Sequence, residues 1–261
     1  MEIVFKDYQY GDSTINFTIS LNQINGILTN APTEIEDIIK SNINCKGQLI
    51  INEKSATKKE YAFYKKNIIV IKDKLTYSSE TLYEYIEKVM KIHKIYPKDK
   101  DKKIKDSLKI VGVNIRTLKN SIHNLSSSEK KLVSIAIGLI INPNILIIEN
   151  ATKSLDLKNK KKVIMLFRKL VEQYNKTIVL ISENSDELYQ YTKHIIIFKK
   201  HKIIIDGDTD YVFKKVSFLK EHNINIPKII DFTYRVKKEK KAKLEYHKDI
   251  RDIIKDIYKH V

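Results

Sequence analysis

The residues best suited to bind an anionic ligand are concentrated between Leu125 and Asp156. Leu125-Ser126-Ser127-Ser128-Glu129 places hydroxyls and a carboxylate before an apolar segment, Ser134 to Ile141, that predicts a helix. Free N–H groups and the dipole at a helix N-terminus favour a phosphate or another anion. Glu149 ends a run of β-forming residues and offers a carboxylate that can hold Mg²⁺. The segment therefore has the composition of a phosphate-binding or nucleotide-binding region.

Each of these residues also has a purely structural explanation. Ser126 and Glu129 form the S-x-x-E pattern of a helix capping box. Asp156 is suited to be the N-cap of the helix predicted after it. The pair Glu149-Asn150 can be an ordinary polar end of a strand. Spacing alone leaves both interpretations open.

In their order, these segments resemble the signature loop, Walker B strand and D-loop of ABC-type ATPases. The family's signature is LSGGQ, so Leu125 and Ser126 match, whereas Ser127, Ser128 and Glu129 do not. The resemblance implies that this loop faces a nucleotide bound by a partner subunit. It implies the same for Asp156 in the D-loop, and it makes Glu149 a candidate Mg²⁺ ligand.

Two positions that perform hydrolysis in the family are changed, so no catalytic residue is intact. Asn150 stands where the family has the glutamate that polarises the attacking water, and an amide cannot act as a base near neutral pH. Glu183 follows the predicted strand Thr177–Ser182, where the family has a histidine that contacts the γ-phosphate. An ionised carboxylate has no proton to donate to phosphate. We therefore expect hydrolysis by this chain to be impaired.

The phosphate loop of the family, G-x-x-G-x-x-G-x-G-K-S-T, is also degenerate. With Gly26 at the first glycine, Thr29 falls on the second, Ile35 on the lysine and Glu36 on the Mg²⁺-binding hydroxyl. Pro32 has no N–H, and glycine is absent from positions 27 to 46, so a nest of backbone donors cannot form. The sequence predicts that ATP and Mg²⁺, the cofactors of the family, bind this chain weakly or not at all.

Two further family positions are ambiguous. Tyr10, or Tyr8, lies where an aromatic residue stacks on adenine, but packing in a strand explains either tyrosine in a chain that has 15 of them. The family's glutamine after the strand Asn67–Ile71 is absent, and Lys72 or Asp73 occupies that region.

The elements that must position these residues alternate between strand and helix. Buried strands are predicted at Asn67–Ile71, Ile145–Ile148 and Thr177–Ser182, and an amphipathic helix at Ser79–Ile95. The charged run 98–103 predicts a solvated loop, after which Ile104–Val111 resumes the helical pattern. This alternation indicates an α/β fold with parallel strands. The resemblance implies a RecA-like P-loop NTPase core with an antiparallel β layer and an inserted helical subdomain.

The expected domain boundaries follow from the resemblance. Residues 1–215 would form the ABC ATPase-like domain, with the helical subdomain at about 79–130. Residues 216–261 would form a C-terminal extension and a possible dimerisation element. Leu219–Pro227 is similar to an element after the cassette of energy-coupling-factor transport ATPases, although an ordinary loop and helix explains it equally.

Composition argues against several classes of protein, namely disulfide-rich, membrane-spanning and nucleic-acid-binding proteins. The single cysteine, Cys45, excludes an intramolecular disulfide framework. The apolar run Leu132 to Ile141 is too short to cross a bilayer, and the N-terminus lacks a signal-peptide pattern. The formal net charge is +17, which compositional bias explains as well as attraction to an anionic membrane surface does. Nucleic acid is the least favoured partner, since only four of the 49 basic residues are arginine, namely Arg116, Arg168, Arg235 and Arg251.

The sequence therefore predicts a degenerate ATP-binding-cassette subunit of an importer of the energy-coupling-factor type, peripheral on the cytoplasmic face of the cell membrane. Its expected partners are a competent ATPase subunit, in a heterodimer, and an integral membrane coupling subunit. The alternative is a non-catalytic adaptor or regulator that has lost nucleotide binding.

Overall fold

The computed structural model describes residues 2–40, 47–72, 80–240 and 244–260. The sequence also predicts a helix at residues 33–42 and has a basic run from Lys237 to Lys243. The ends of both lie outside the described residues, as do Cys45, Asp73 and Ser79. The chain folds as two compact units, residues 1–61 with 180–261 and residues 62–179. Unit 1 is therefore built from two separate stretches of sequence, and unit 2 from one.

The strands alternate with helices through most of the chain. The strands are β1 Glu2–Tyr10, β2 Ser13–Ser20, β3 Ile24–Leu28, β4 Gln48–Ile51, β5 Lys54–Ser55, β6 Ile68–Ile71, β7 Ile145–Glu149, β8 Thr177–Ser182, β9 His194–Lys199 and β10 Lys202–Asp208. The helices are α1 Pro32–Ile39, α2 Lys58–Lys66, α3 Leu82–Ile92, α4 Lys100–Val111, α5 Ser127–Ile141, α6 Leu157–Tyr174, α7 Ser185–Tyr191, α8 Thr209–Lys214, α9 Val216–Glu221, α10 Lys228–Lys240 and α11 Ile250–His260.

Unit 1 contains an antiparallel sheet in the order β2-β1-β4-β5. Its apolar face is set by the two-residue period of β1 and β2, which buries Phe5 against Phe17 with their rings stacked 4.3 Å apart. The register of β1 against β2 shifts between Phe5 and Tyr8, and Asp7 there has a φ of 54°. The resulting bulge turns the end of β1, which carries Tyr10.

Unit 1 also contains a mixed sheet in which β10, β9, β3 and the end of β8 are neighbours in that order. β3 pairs in parallel with β9, with Asn25 opposite His194 and Leu28 opposite Ile197. All five residues of β3 are buried, as expected for a central strand covered on both faces. The carboxyl ends of β3, β8 and β9 therefore open onto one edge of the sheet.

Unit 2 packs helices against the parallel pair of β6 and β7, in which Ile68 lies opposite Ile145. The start of β8 is the neighbour of β7. α5 is buried along most of its length, and Gly138 allows this helix to approach β6 and β7 closely. A Cβ atom added at Gly138 would lie 2.8 Å from Cδ1 of Ile71 and 3.2 Å from Cδ1 of Leu146, so a larger residue requires these side chains to shift.

Several element boundaries differ from the predictions. The segment 98–103 is not wholly a loop, because Asp99 caps Lys102 N at 2.8 Å and α4 begins at Lys100. α5 begins at Ser127, well before the predicted Ser134, because the serine segment is the first turn of that helix. The alternation of polar and apolar residues predicts a strand over Ser13–Gln23, whereas β2 ends at Ser20, where a turn with Asn22 at a φ of 56° separates it from β3. α2 and α10 were not predicted as helices.

Candidate functional site

The segment aligned with a phosphate loop is a short connection between β3 and α1. Gly26 lies inside β3, and a Cβ there would lie 2.7 Å from Cδ1 of Ile195, so this glycine serves strand packing rather than a loop. The N–H of Thr29 donates to the carbonyl of Ser182 at 3.2 Å, and the N–H of Ala31 donates to Oγ1 of Thr29 at 3.0 Å. Pro32 has no N–H and begins α1. The donors of this connection are thus largely used within the chain.

The side chains at the lysine and hydroxyl positions point into the protein. Ile35 is fully buried, and Glu36 is only 2% exposed. Both belong to the buried side of α1, together with Ile38 and Ile39. At these positions the helix supplies core packing and a buried carboxyl group rather than a cation and a hydroxyl.

Three side chains of unit 1 form a chain of contacts beside this connection. The ring of Tyr10 lies 5.7 Å from the imidazole of His201, measured between ring centroids. Nδ1 of His201 lies 2.8 Å from Oε2 of Glu34, which is in the first turn of α1. We refer to Tyr10, His201 and Glu34 as the tyrosine–histidine–glutamate cluster. One neighbour of Tyr10, a candidate for the family's adenine-stacking position, is therefore a histidine of the chain itself.

Glu183 and Thr29 meet in a cleft of about 190 Å³ at the carboxyl ends of β3, β8 and β9. The segment after α9 forms another wall, which includes Asn223 and Asn225. Nζ of Lys199 holds this segment by donating to the carbonyls of His222 at 3.1 Å and Asn223 at 2.6 Å. The C-terminal part of unit 1 thus lies against the residues that occupy the family's phosphate-contacting positions.

The signature-like segment forms a complete capping box. Oγ of Ser126 accepts from the N–H of Glu129 at 3.2 Å, and Oε2 of Glu129 accepts from the N–H of Ser126 at 2.9 Å and its hydroxyl at 2.8 Å. Leu125 is buried beneath it, Ser127 is exposed and Ser128 is half-buried. The structural explanation given for Ser126 and Glu129 is confirmed. It leaves the exposed first turn of α5 accessible, so a role toward a partner subunit is compatible with capping.

A buried lysine, whose burial the sequence does not suggest, lies beside the end of β7. Nζ of Lys131, on α5, donates to the carbonyl of Glu149 at 2.9 Å, and Lys131 is only 3% exposed. The Glu149 side chain is buried. Asn150 follows with a φ of 46°, a left-handed conformation that asparagine tolerates better than most residues. Asn150 therefore has a conformational role at the strand end in addition to any contact with a ligand.

The D-loop-like residue Asp156 is the N-cap of α6. Its Oδ1 accepts from the N–H of Asn159 at 2.7 Å, and the Asn159 amide nitrogen lies 3.2 Å from Oδ2. The carboxylate is exposed. The predicted capping role is confirmed, and the exposed carboxylate can also contact a second molecule.

Lys72, at the predicted glutamine position, lies on an apolar groove in unit 2. The groove has a volume of about 220 Å³ and is formed by β6, α3 and α5, with Tyr85 and His93 among its lining residues. Burial lowers the pKa of His93, so this histidine is more readily neutral than an exposed one. The groove presents mainly apolar side chains to its surroundings.

The structure brings together some predicted residues and adds others. Thr29 and Glu183 share one cleft, and Tyr10 is linked to α1. Sequence reasoning missed His201, Glu34 and Lys131, because their importance depends on contacts between residues far apart in the chain. Among the described residues, no group of three or more histidine, cysteine, aspartate or glutamate side chains could hold a metal ion. Glu149 would need ligands other than such a cluster to bind Mg²⁺.

Comparison with known proteins identifies the family that the sequence resembles. Residues 33–153 match the model of the ABC transporter family. A putative ABC transporter ATP-binding protein of Pyrococcus abyssi is 31% identical over 137 residues, which are 51% of this chain and 49% of that protein. An energy-coupling factor transporter ATP-binding protein of Enterococcus faecalis is 30% identical over 132 residues, covering 51% of this chain and 46% of that protein. The chain thus spans about half the length of the curated relatives it matches.

Solved structures give the fold. The CbiO1 protein of Clostridium perfringens, described as part of an ABC transporter complex, aligns with a TM-score of 0.67 at 19% identity, over 89% of this chain and 98% of that one. A dimeric ATP-binding cassette, MJ0796, described as bound to ADP and Pi, aligns with a TM-score of 0.64 at 19% identity, over 80% of this chain and 99% of that one. The chain has the α/β fold of an ABC ATPase domain and resembles ATP-binding subunits of the energy-coupling-factor type. Within its described part, no helix is long and apolar enough to cross a membrane.

Proposed function

We propose that this chain is an ATP-binding-cassette subunit of a membrane importer of the energy-coupling-factor type, impaired in its own nucleotide site and paired with a competent ATPase subunit. The fold and the matching relatives support the first half of the proposal. The single observation that carries the second half is the connection between β3 and α1. There the amides of Thr29 and Ala31 are already bonded, Pro32 lacks one, and Ile35 replaces the lysine.

These residues do not fit a triphosphate. A phosphate loop needs several backbone N–H groups directed at the ligand and a lysine to neutralise charge. Here the N–H of Thr29 holds the carbonyl of Ser182, and the Glu34 carboxylate lies at the start of α1. The tyrosine–histidine–glutamate cluster adds an imidazole next to Tyr10. We therefore assign no hydrolytic step to this chain.

The two segments that the proposal assigns to contact with a partner subunit are exposed. The first turn of α5 is exposed at Ser126 and Ser127, and its N–H groups and dipole favour an anion supplied by another subunit. Asp156 is exposed at the start of α6. In this proposal residues 125–129 and Asp156 complete the nucleotide site of the competent subunit. The helices at about 79–130, with the apolar groove beside α3, face the membrane subunit at the cytoplasmic surface.

The expected domain organisation belongs to the same proposal. The cassette would comprise residues 1–215, and the segment 216–261 would extend it and contribute to holding the two ATPase subunits together. The contact of Asn223 and Asn225 with the cleft at Thr29 is consistent with an extension that belongs to the cassette.

Affinity purification from membranes tests the proposal. The tagged chain is expected to bring down a second ABC ATPase and an integral membrane protein, and the complex to hydrolyse ATP. A Walker B glutamate-to-glutamine change in the partner should abolish this activity, whereas Asn150→Gly here, which permits the same positive φ, should leave most of it. Substantial hydrolysis by the purified chain alone would overturn the assigned impairment. Recovery of neither partner, with an unrelated protein instead, would favour the adaptor or regulator.

A further inference from the structure

α11 has an apolar side that the rest of the described chain covers only in part. Ile253 is fully buried and faces the rest of unit 1. Ile250 is 48% exposed, Ile254 is 44% exposed and Tyr258 is 82% exposed. Since an α-helix turns by about 100° per residue, the latter three lie within about 80° of one another around the axis. They form a continuous exposed strip, which we call the apolar strip.

A row of cations lies directly beside the apolar strip. Arg251, Lys255 and Lys259 repeat at the same four-residue spacing, on the side of the strip away from Ile253. Asp252 and Asp256 lie beyond this basic row. Going around α11, a buried side is thus followed by an exposed apolar strip and then by cations. This order of faces is typical of helices that lie in a membrane interface.

The cations of the basic row remain available to other anions. Arg251 bonds Asp249, Nζ of Lys255 lies 3.1 Å from Asp252, and Nζ of Lys259 lies 3.8 Å from Asp256. The two lysine pairs are weak because the lysines are largely exposed, and they exchange readily with solvent or another anion. Arg251 is held more firmly, since it donates to both carboxylate oxygens of Asp249, but its side chain is still 82% exposed. Upstream, the last turn of α10 adds Lys237, Lys238 and Lys240. The whole chain carries a formal charge of +17.

The start of α11 is held in place, so the apolar strip is a fixed feature of unit 1. Nζ of Lys248 lies 3.1 Å from Oδ1 of Asp210 and 5.0 Å from the ring centre of Tyr189. Nε2 of His247 lies 2.6 Å from Oδ2 of Asp256, which ties the approach segment to the helix itself. Together with the buried Ile253, these contacts determine which side of α11 faces outward.

We propose that α11 docks directly on an anionic phospholipid surface, with the apolar strip in the headgroup–acyl boundary and the basic row against lipid phosphates. Charge complementarity favours this occupant over a second copy of the chain. In a two-fold dimer built on the strip, the same patch would face itself and would bring two basic rows to one interface. The proposal assigns the apolar strip of α11 to lipid, and it leaves the contact between the two ATPase subunits to the rest of residues 216–261. This proposal rests on the membrane location given under the proposed function, but it does not depend on nucleotide binding. The test uses vesicles that contain no protein. A failure of lipid docking can therefore be distinguished from a failure of the transporter assignment.

A single tryptophan provides the probe, because the chain has none. Tyr258→Trp places an indole on the apolar strip, and the matched control Tyr174→Trp places one at an exposed tyrosine outside residues 79–130, 58% exposed. Both proteins are titrated with phosphatidylcholine vesicles with and without phosphatidylglycerol. The expected result is a blue shift and quenching by brominated lipid for Tyr258→Trp, only with phosphatidylglycerol, and no change for Tyr174→Trp. Absence of a shift at position 258, or equal shifts at both positions, would overturn the proposal.

Two sets of substitutions in the Tyr258→Trp protein test whether vesicle binding depends on the apolar strip and the basic row. The alternative is diffuse electrostatic attraction of the positively charged protein to the anionic vesicle. Changing the basic row (Arg251, Lys255 and Lys259) to glutamine should lower vesicle partition by about tenfold or more, since each cation near an anionic surface contributes up to about fivefold. Ile250→Ser with Ile254→Ser should do the same by removing apolar contact. The control changes Lys58, Lys59 and Lys66 of α2, which are exposed and lie outside residues 79–130, to glutamine and should retain partition. Equal loss in the control would mean diffuse attraction, and a serine variant that shifts only the oligomeric state in sedimentation would mean a protein partner. Either result would refute lipid docking.

Discussion

Neutralising Glu36 tests whether charge keeps nucleotide away from this chain. The residue lies on α1 where the family has a Mg²⁺-binding hydroxyl, and it is 2% exposed. If a bound phosphate came within about 4 Å of this carboxyl group in its ionised form, the repulsion would cost at most about 4 kcal/mol at an effective dielectric constant of about 20. The missing lysine contact costs roughly a further 1.5–3 kcal/mol. Together these two losses would weaken binding by at most about five orders of magnitude.

Isothermal titration with Mg-ATP measures this effect directly. We expect no saturable binding by the unmodified chain. Glu36→Gln keeps the shape of the side chain and should recover at most about a thousandfold in affinity, because only the repulsive part is removed. The control Asp106→Asn makes the same change in net charge on α4 and should not bind. Micromolar binding by the unmodified chain, weakened by Glu149→Gln, would refute the reasoning about the loop. Identical titrations for the two variants would show that the Glu36 carboxylate is not the repulsive group.

Three further outcomes follow from local contacts. Asp156→Ala removes the N-cap of α6 and should destabilise the protein by about 1 kcal/mol in denaturant unfolding, whereas Asp156→Asn should cost a few tenths at most. Glu129→Gln should retain the melting temperature because glutamine also completes a capping box, and Ser126→Ala should lower it by about 2–4 °C; equal melting temperatures would contradict the box. Burial, with a smaller contribution from Asp210, raises the pKa of Tyr189 to about 12. The folded state therefore holds a proton that the unfolded state releases above pH 10, and stability should fall between about pH 10 and 12. Tyr189→Phe should flatten this fall in pH-dependent urea unfolding and Tyr96→Phe should not; equal slopes would exclude Tyr189 as the cause.

The parts of the fold that sequence could predict are those governed by local patterns. The bounds of β8 and β9 agree with their runs of β-branched residues. The caps at Ser126 and Asp156 were available from residue type and spacing. In contrast, the charged run predicts a loop where α4 begins, because the cap of that helix, Asp99, lies inside the charged run.

The parts of the site that sequence could not predict depend on distant contacts. The cluster joins Tyr10 in β1 to His201 in the β9–β10 turn, and nothing in either segment indicates the other. Lysine is normally exposed, so the burial of Lys131 against the carbonyl of Glu149 is invisible until α5 and β7 are packed. The sequence shows which nucleotide-binding side chains of the family are missing, but only the structure shows which contacts occupy their positions.

The two-segment construction of unit 1 has a consequence for synthesis. β3 lies in the first segment, while its parallel neighbour β9 begins at His194 in the second. At about 5–20 residues per second, a ribosome needs on the order of ten to thirty seconds to make the intervening chain. During that time β3 is an apolar strand without its native neighbours, which favours aggregation or chaperone binding. Asn25 offers local protection, because its side chain bonds both the N–H and the carbonyl of Ser20 at 3.0 and 2.8 Å. Unit 2, made from one continuous stretch, has no comparable delay, so its core can form while unit 1 is still incomplete.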